Sequence, residues 1–233
     1  MNLTLFVAIV IAGCGTTPQS SDPDGLDSLP TTPTNSAAVP SDLVDIESGA
    51  EDAFEAVLLG DSATVNAGLT KIQQGFAAYR GHAVSDGAPQ AIVDRLKTVS
   101  DELRDAIAEG ETGPALARIT NAVSAPMPRL FAVYTEPVPP TVLVLDYVGR
   151  ELELDALQHS ASQAATDLER AVRTWNLLRP TVVAKGGTTE AAKFDATLAD
   201  LRAAVDAADF AALEAAAITV LDDVDILEAV FAK

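Results

Sequence analysis

Residues 209–233 read DFAALEAAAITVLDDVDILEAVFAK. Within them Phe210, Leu213, Ala217, Val220, Val224, Leu227 and Phe231 recur at alternating steps of about three and four. An α-helix turns once in about 3.6 residues, so this spacing lines one helix face with apolar side chains. A half-buried strand would alternate at every second position, and no segment of the chain sustains that period.

Working upstream, the same seam returns. It reads Ala191, Phe194, Leu198, Leu201 and Val205; then Ala161, Ala164, Leu168, Ala171, Trp175, Leu178 and Val182; then Val142, Leu145, Gly149, Leu152, Ala156 and His159. Four more seams fill the first half. They run from Leu43 to Val57, Val65 to Tyr79, Ile92 to Ala106, and Leu116 to Leu130. Breakers fall between them at Gly60-Asp61, Ser85-Asp86-Gly87, Gly110 to Pro114, Glu136 to Pro140, His159-Ser160, Lys185-Gly186-Gly187 and Ala208-Asp209. The chain is 48% hydrophobic and only 5% aromatic, a balance that favours helices over sheets. The fold class expected is all-α: an antiparallel helical bundle of small, closely approaching residues with little room for a cofactor.

The halves echo one another. Phe76-Ala77-Ala78-Tyr79-Arg80 corresponds to Trp175-Asn176-Leu177-Leu178-Arg179, and Leu130-Phe131 to Val230-Phe231. This predicts two tandem four-helix units related by internal duplication, over 41–136 and 141–233, with a stiff proline-rich joint at 137–140. Pro126 and Pro128 should kink or end the fourth helix, because each lacks an N–H and clashes one turn back.

The formal net charge is −19, from 34 acidic and 15 basic residues. Such a surface repels phosphate backbones, so no nucleic-acid partner is expected. It also disfavours broad docking onto anionic lipid. The chain has one cysteine, Cys14, which excludes internal disulfides and thiolate metal clusters.

Leu3 to Ala12 is a ten-residue run with a single polar member, Thr4. It is too short to span a bilayer and has the length of a signal-peptide apolar region. The run closes on Ile11-Ala12-Gly13-Cys14, which resembles the bacterial lipobox: an aliphatic residue, two small residues, then the cysteine that receives a diacylglycerol thioether. Met1-Asn2 ahead of it carries no Lys or Arg, a departure from the usual basic start. The resemblance covers this segment alone. It implies that residues 1–13 are a lipoprotein signal peptide. It further implies an acylated Cys14 holding the mature chain to a lipid bilayer, facing the periplasm or the exterior. Gly15 stands where an aspartate often retains a lipoprotein in the inner membrane, so the outer membrane is favoured by analogy in a bacterium with two membranes. Of the 26 residues from Gly15 to Pro40, five are Pro and nine are Ser or Thr. Residues 14–40 are therefore read as anchor and disordered linker, reaching about 30 Å.

Chemistry-bearing motifs are few. His82 and His159 are the only histidines, and neither has a partner at metal-ligand spacing. His159 is placed to complement a helix C-terminus. Met127 with a histidine is a haem pair in principle, but a seam methionine is better read as core filler, and no cofactor is expected. Asp222, Asp225 and Glu228 share a flank of the last helix, while Asp146, Arg150, Glu151, Glu153 and Asp155 lie on the fifth. Carboxylates at such spacings from several helices can chelate iron, manganese or calcium, yet a solvated face is the plainer reading. Arg150 and Arg179 stand out in a basic-poor chain. A structural ion-pair network of Asp146, Arg150, Arg179 and Asp222 or Asp225 is predicted to lock helices together. Gly186-Gly187-Thr188-Thr189 reads as a glycine C-cap followed by an N-cap threonine. The chain has no G-x-S-x-G, Walker or H-E-x-x-H motif, so it is not expected to be an enzyme. The sequence thus points to a membrane-tethered envelope lipoprotein acting as a protein-interaction or scaffold module. The alternative is a binding protein for a metal ion or small ligand held between helices, which carboxylates converging on a cavity would favour.

Overall fold

The computed structural model describes residues 24–26 and 29–232; the apolar leader and Cys14 lie outside the described residues. The protein is all-helical. In the first half α1 (Ser41–Leu59), α2 (Ser62–Tyr79), the single turn α3 (Ala83–Asp86), α4 (Gln90–Glu109), α5 (Gly113–Asn121) and α6 (Met127–Phe131) follow one another. The second half holds α7 (Thr141–Leu157), α8 (Ala161–Ala184), α9 (Thr188–Ala207) and α10 (Phe210–Phe231). The fourth expected helix is divided into α5 and α6, with Pro126 and Pro128 at the break. The main helices begin at 41, 62, 90 and 113 in the first half and at 141, 161, 188 and 210 in the second, an arrangement compatible with duplication.

The seams bury as their spacing requires. One core collects Leu43, Ile46, Ile72, Leu96, Leu103 and the core-filling Met127; the other collects Leu145, Leu152, Trp175, Phe194, Leu201 and Leu227. Helix α7 belongs to both. Its Leu152 joins the second core while Leu154 joins the first. Since α7 packs on α5 and α6 as well as on α8 and α10, the halves share a buried interface.

Glycines set the closest helix approaches. A methyl group on Gly68 of α2 would stand 2.5 Å from the carbonyl oxygen of Gly49 on α1. One on Gly149 of α7 would stand 2.7 Å from a methyl of Leu221 on α10.

Two expectations are corrected here. The linker does not remain free of the bundle over its described part. The Thr34 and Asn35 N–H groups donate to the Val133 carbonyl at 3.0 and 2.8 Å, and the Thr135 N–H donates to Ala37 O at 2.9 Å. Asp24 accepts from Arg95 Nε at 2.9 Å, and Leu26 enters the second core. The described part of the tract forms no helix or strand, in keeping with its composition, but its backbone pairs with groups near the end of α6 and so lies along the bundle. At the α8–α9 turn, Gly187 rather than a threonine is the N-cap of α9, with no side-chain cap. A methyl there would meet Val182 and Val230 within 3.0 Å, so packing favours glycine at that position.

Candidate functional site

Because α7 is covered on both sides, the charged residues flanking its apolar seam are buried with it. Arg150 is 5% exposed and Asp155 0%. Charges in such a place must be paired, and each side of the helix answers differently.

Facing α5, Arg118 reaches across to Glu151 and to Asp155 at 2.8 Å, while Asn121 Nδ2 donates to Glu151 at 2.7 Å. Burial still pushes Asp155 up to about 7, against the hydrogen bond from Arg118. This cluster ties α5 to α7.

Facing α1, Arg150 gathers three carboxylates. Its Nη2 lies 2.6 Å from Asp146 and 3.5 Å from Glu47; its Nη1 lies 3.7 Å from Glu51. Nε donates to Asn121 at 2.8 Å, and the guanidinium carbon sits 5.8 Å above the Phe54 ring. One oxygen from each of Glu47, Glu51 and Asp146 lies within 4.8 Å of the others. Burial raises Glu47 well above the carboxylate range, with Glu51 adding to the shift and Arg150 opposing it. Burial likewise lifts Glu51 to about 7.

Arg150, Glu51 and Asp146 of this group line an open cleft of about 490 Å³ between α1, α7 and α10, and the buried Glu47 adjoins them. Helix α1 brings Glu51 and Glu55 to it, α7 brings Asp146 and Glu153, and α10 brings Asp222, Asp225 and Glu228. Burial, then proximity to Asp146, raises both Asp225 and Glu228. Phe54, Leu58 and Leu221 supply apolar wall.

The predicted network is therefore only partly assembled. Asp146 and Arg150 meet, and Asp222 and Asp225 line the same cleft. Arg179 does not join them. It pairs with Asp195 of α9 at 2.8 Å, on the surface, where Asp195 also accepts from Trp175 Nε1. A basic residue near an aromatic seam meets whichever acid the next helix presents, and here that helix is α9, not α10. On α10 it is Asp223 that faces α9, taking Lys193 at 2.7 Å. Glu47 and Glu51 went unremarked in the sequence. Their signal was the stripe Glu47, Glu51, Glu55: like charges four apart disfavour a helix unless something compensates them.

The histidines lie elsewhere. His82 bridges Asp86, at 2.7 Å from Nδ1, and Asp42, at 3.0 Å from Nε2; Tyr134 OH also donates to Asp86 at 2.9 Å. The hydrogen bonds to Asp86 and Asp42 raise the His82 pKa above 6.5. His159 follows the end of α7 in a left-handed conformation, φ 54°, with its ring stacked 4.7 Å from that of Phe210. Among the described residues no helix is long and apolar enough to cross a membrane.

No known family, curated protein or solved structure matches this chain, so the functional reading rests on its geometry.

Proposed function

We propose that the chain is a lipid-anchored cell-envelope module, tethered through Cys14, that captures a cationic ligand in the cleft between its helical halves. The observation that carries the reading is the charge of that cleft: seven carboxylates face one guanidinium, Arg150, around an open volume. A concave surface of one sign concentrates counter-ions, and low-dielectric walls strengthen the field. Phe54 and the leucines suit the apolar part of an amine or of a basic side chain. The cleft therefore favours the binding-protein alternative over a bare scaffold. The large exposed apolar residues are spread over α1, α3, α8 and α10, one or two to a helix. A basic segment of another envelope protein remains within the ligand class. The reading assigns no reaction to the chain.

Calorimetry with spermidine and with a lysine-rich peptide tests the cleft. Binding is expected to weaken as salt screens it and to fall in Asp225→Asn/Glu228→Gln. No heat from either probe, or binding indifferent to those substitutions, defeats the reading. In the same cells labelled palmitate should mark the wild type and not Cys14→Ser; an unlabelled wild type removes the anchor.

A further inference from the structure

We propose that the carboxylate triad at the edge of the cleft, Glu47 and Glu51 of α1 with Asp146 of α7, is a site for a hard divalent cation of the calcium type. The inference rests on the reading of the cleft as a cation site and names the class of cation.

The donor geometry comes first. Calcium takes oxygen ligands at about 2.3–2.6 Å, so two ligands of one ion stand at most about 5 Å apart. The three carboxylates each offer an oxygen within 4.8 Å of the other two, so all three can reach one centre.

Charge comes second. Arg150 is committed to Asp146 at 2.6 Å and to Asn121 at 2.8 Å, and is farther from Glu47 and Glu51, at 3.5 and 3.7 Å. When all three are ionised, three carboxylates against one guanidinium leave two negative charges, the number a divalent ion cancels as it takes the place of the protons that burial favours on Glu47 and Glu51.

The third observation does not depend on charge. The Glu47 side chain is 7% exposed, and its Oε2 is buried without a hydrogen bond. Asp146 Oδ2, another oxygen of the triad, is likewise buried without a hydrogen bond of good geometry, although Arg150 Nη2 stands 2.6 Å from it. Buried polar atoms are nearly always satisfied, and two orphans side by side at an acidic cluster point to a missing partner that carries positive charge.

The donor set decides the class. It is all oxygen, with neither histidine nor cysteine in the group, which selects against zinc and copper. Magnesium demands near-ideal octahedral geometry, whereas calcium tolerates an irregular shell completed by water. Glu51, 40% exposed at its side chain, opens the site to the cleft and gives water and ion a path. Since α1 belongs to one half and α7 to the other, the ion would brace the two together.

The test titrates calcium into the chelator-stripped full chain by calorimetry, with spermidine in parallel. One calcium per chain is expected, with Kd on the order of 10⁻⁴–10⁻³ M and magnesium weaker. Glu51→Gln should weaken calcium binding about tenfold or more. Glu55→Gln, which lines the same cleft outside the triad, should leave it unchanged. Should Glu51→Gln fail to fold by circular dichroism, Asp146→Asn replaces it with the same expectation. Spermidine binding without calcium binding removes the ion site and leaves the cleft reading intact; binding of neither removes both. Equal weakening by Glu51→Gln and Glu55→Gln shows a diffuse counter-ion effect and overturns the site.

Discussion

At the scale of single residues, His82 shows how few atoms decide a pH response. Its ring joins Asp42 at the start of α1 to Asp86 at the end of α3, with the Tyr79 ring edge-on at 5.4 Å and Tyr134 hydrogen-bonded to Asp86. The folded pKa lies above 6.5, so the native state holds the proton more tightly than the unfolded chain. The resulting stabilisation is complete below the unfolded value and is lost as pH rises through the folded one. His82→Gln should therefore melt below the wild type at about pH 6, and the gap should close towards about pH 8. Melting curves across that range check it, and a constant gap contradicts the assignment. The sequence alone could not show the two acids that His82 meets. Asp86 is four residues away, whereas Asp42 arrives from forty residues upstream through the packing of α1.

At the scale of helices, the α1–α2 pair depends on small residues at defined positions. Gly68 faces the Gly49 carbonyl and Ala53, and Gly75 faces the Asp42 carbonyl and Ile46. Alanine has the higher intrinsic helix propensity, worth about 1 kcal/mol over glycine. Here the added methyl would overlap backbone that cannot step aside, so the helices must separate, at a cost of about 1–3 kcal/mol. Gly68→Ala should therefore lower stability in urea denaturation despite its better propensity; a gain would mean that the helices are not in close contact. Helix identity and most turns were legible because a 3.6-residue period and glycine or proline breakers are local signals. The break between α5 and α6 was legible for the same reason, since Pro126 and Pro128 act on their own turns. The capping at Gly187 was not, because Val182 and Val230 crowd that position only after α8 and α10 meet.

At the scale of the whole molecule, two helical units share α7, and their join is ionic as well as apolar. Removing one partner of a buried ion group leaves the others uncompensated, at a cost of about 3–5 kcal/mol. Arg150→Met should reach that range in urea denaturation, because Glu47 and Asp146 would lose the guanidinium that offsets their burial and must either hold buried charge or take up protons. Adding Glu47→Gln to Arg150→Met should recover part of the loss, since contacting residues couple. A loss under about 1 kcal/mol for the single variant would show that the join depends on apolar packing alone. The described part of the linker belongs to this scale too. Its composition forbids a core of its own, yet Leu26 and Asp24 find places on a surface that the bundle provides.

The amino-acid order alone determined the helical class, the amphipathic seams and the acidic character of the chain. Each of these follows from periodicity, composition or charge count, which need no knowledge of neighbours. Only the tertiary structure decided which charges meet. Arg150 was paired with Asp146 by helical spacing, but Glu47 and Glu51 reach it from about a hundred residues away, and Arg179 was drawn to Asp195 instead. Ionic partners across helices depend on which faces the apolar cores turn towards one another, and that choice is made by packing the entire chain at once.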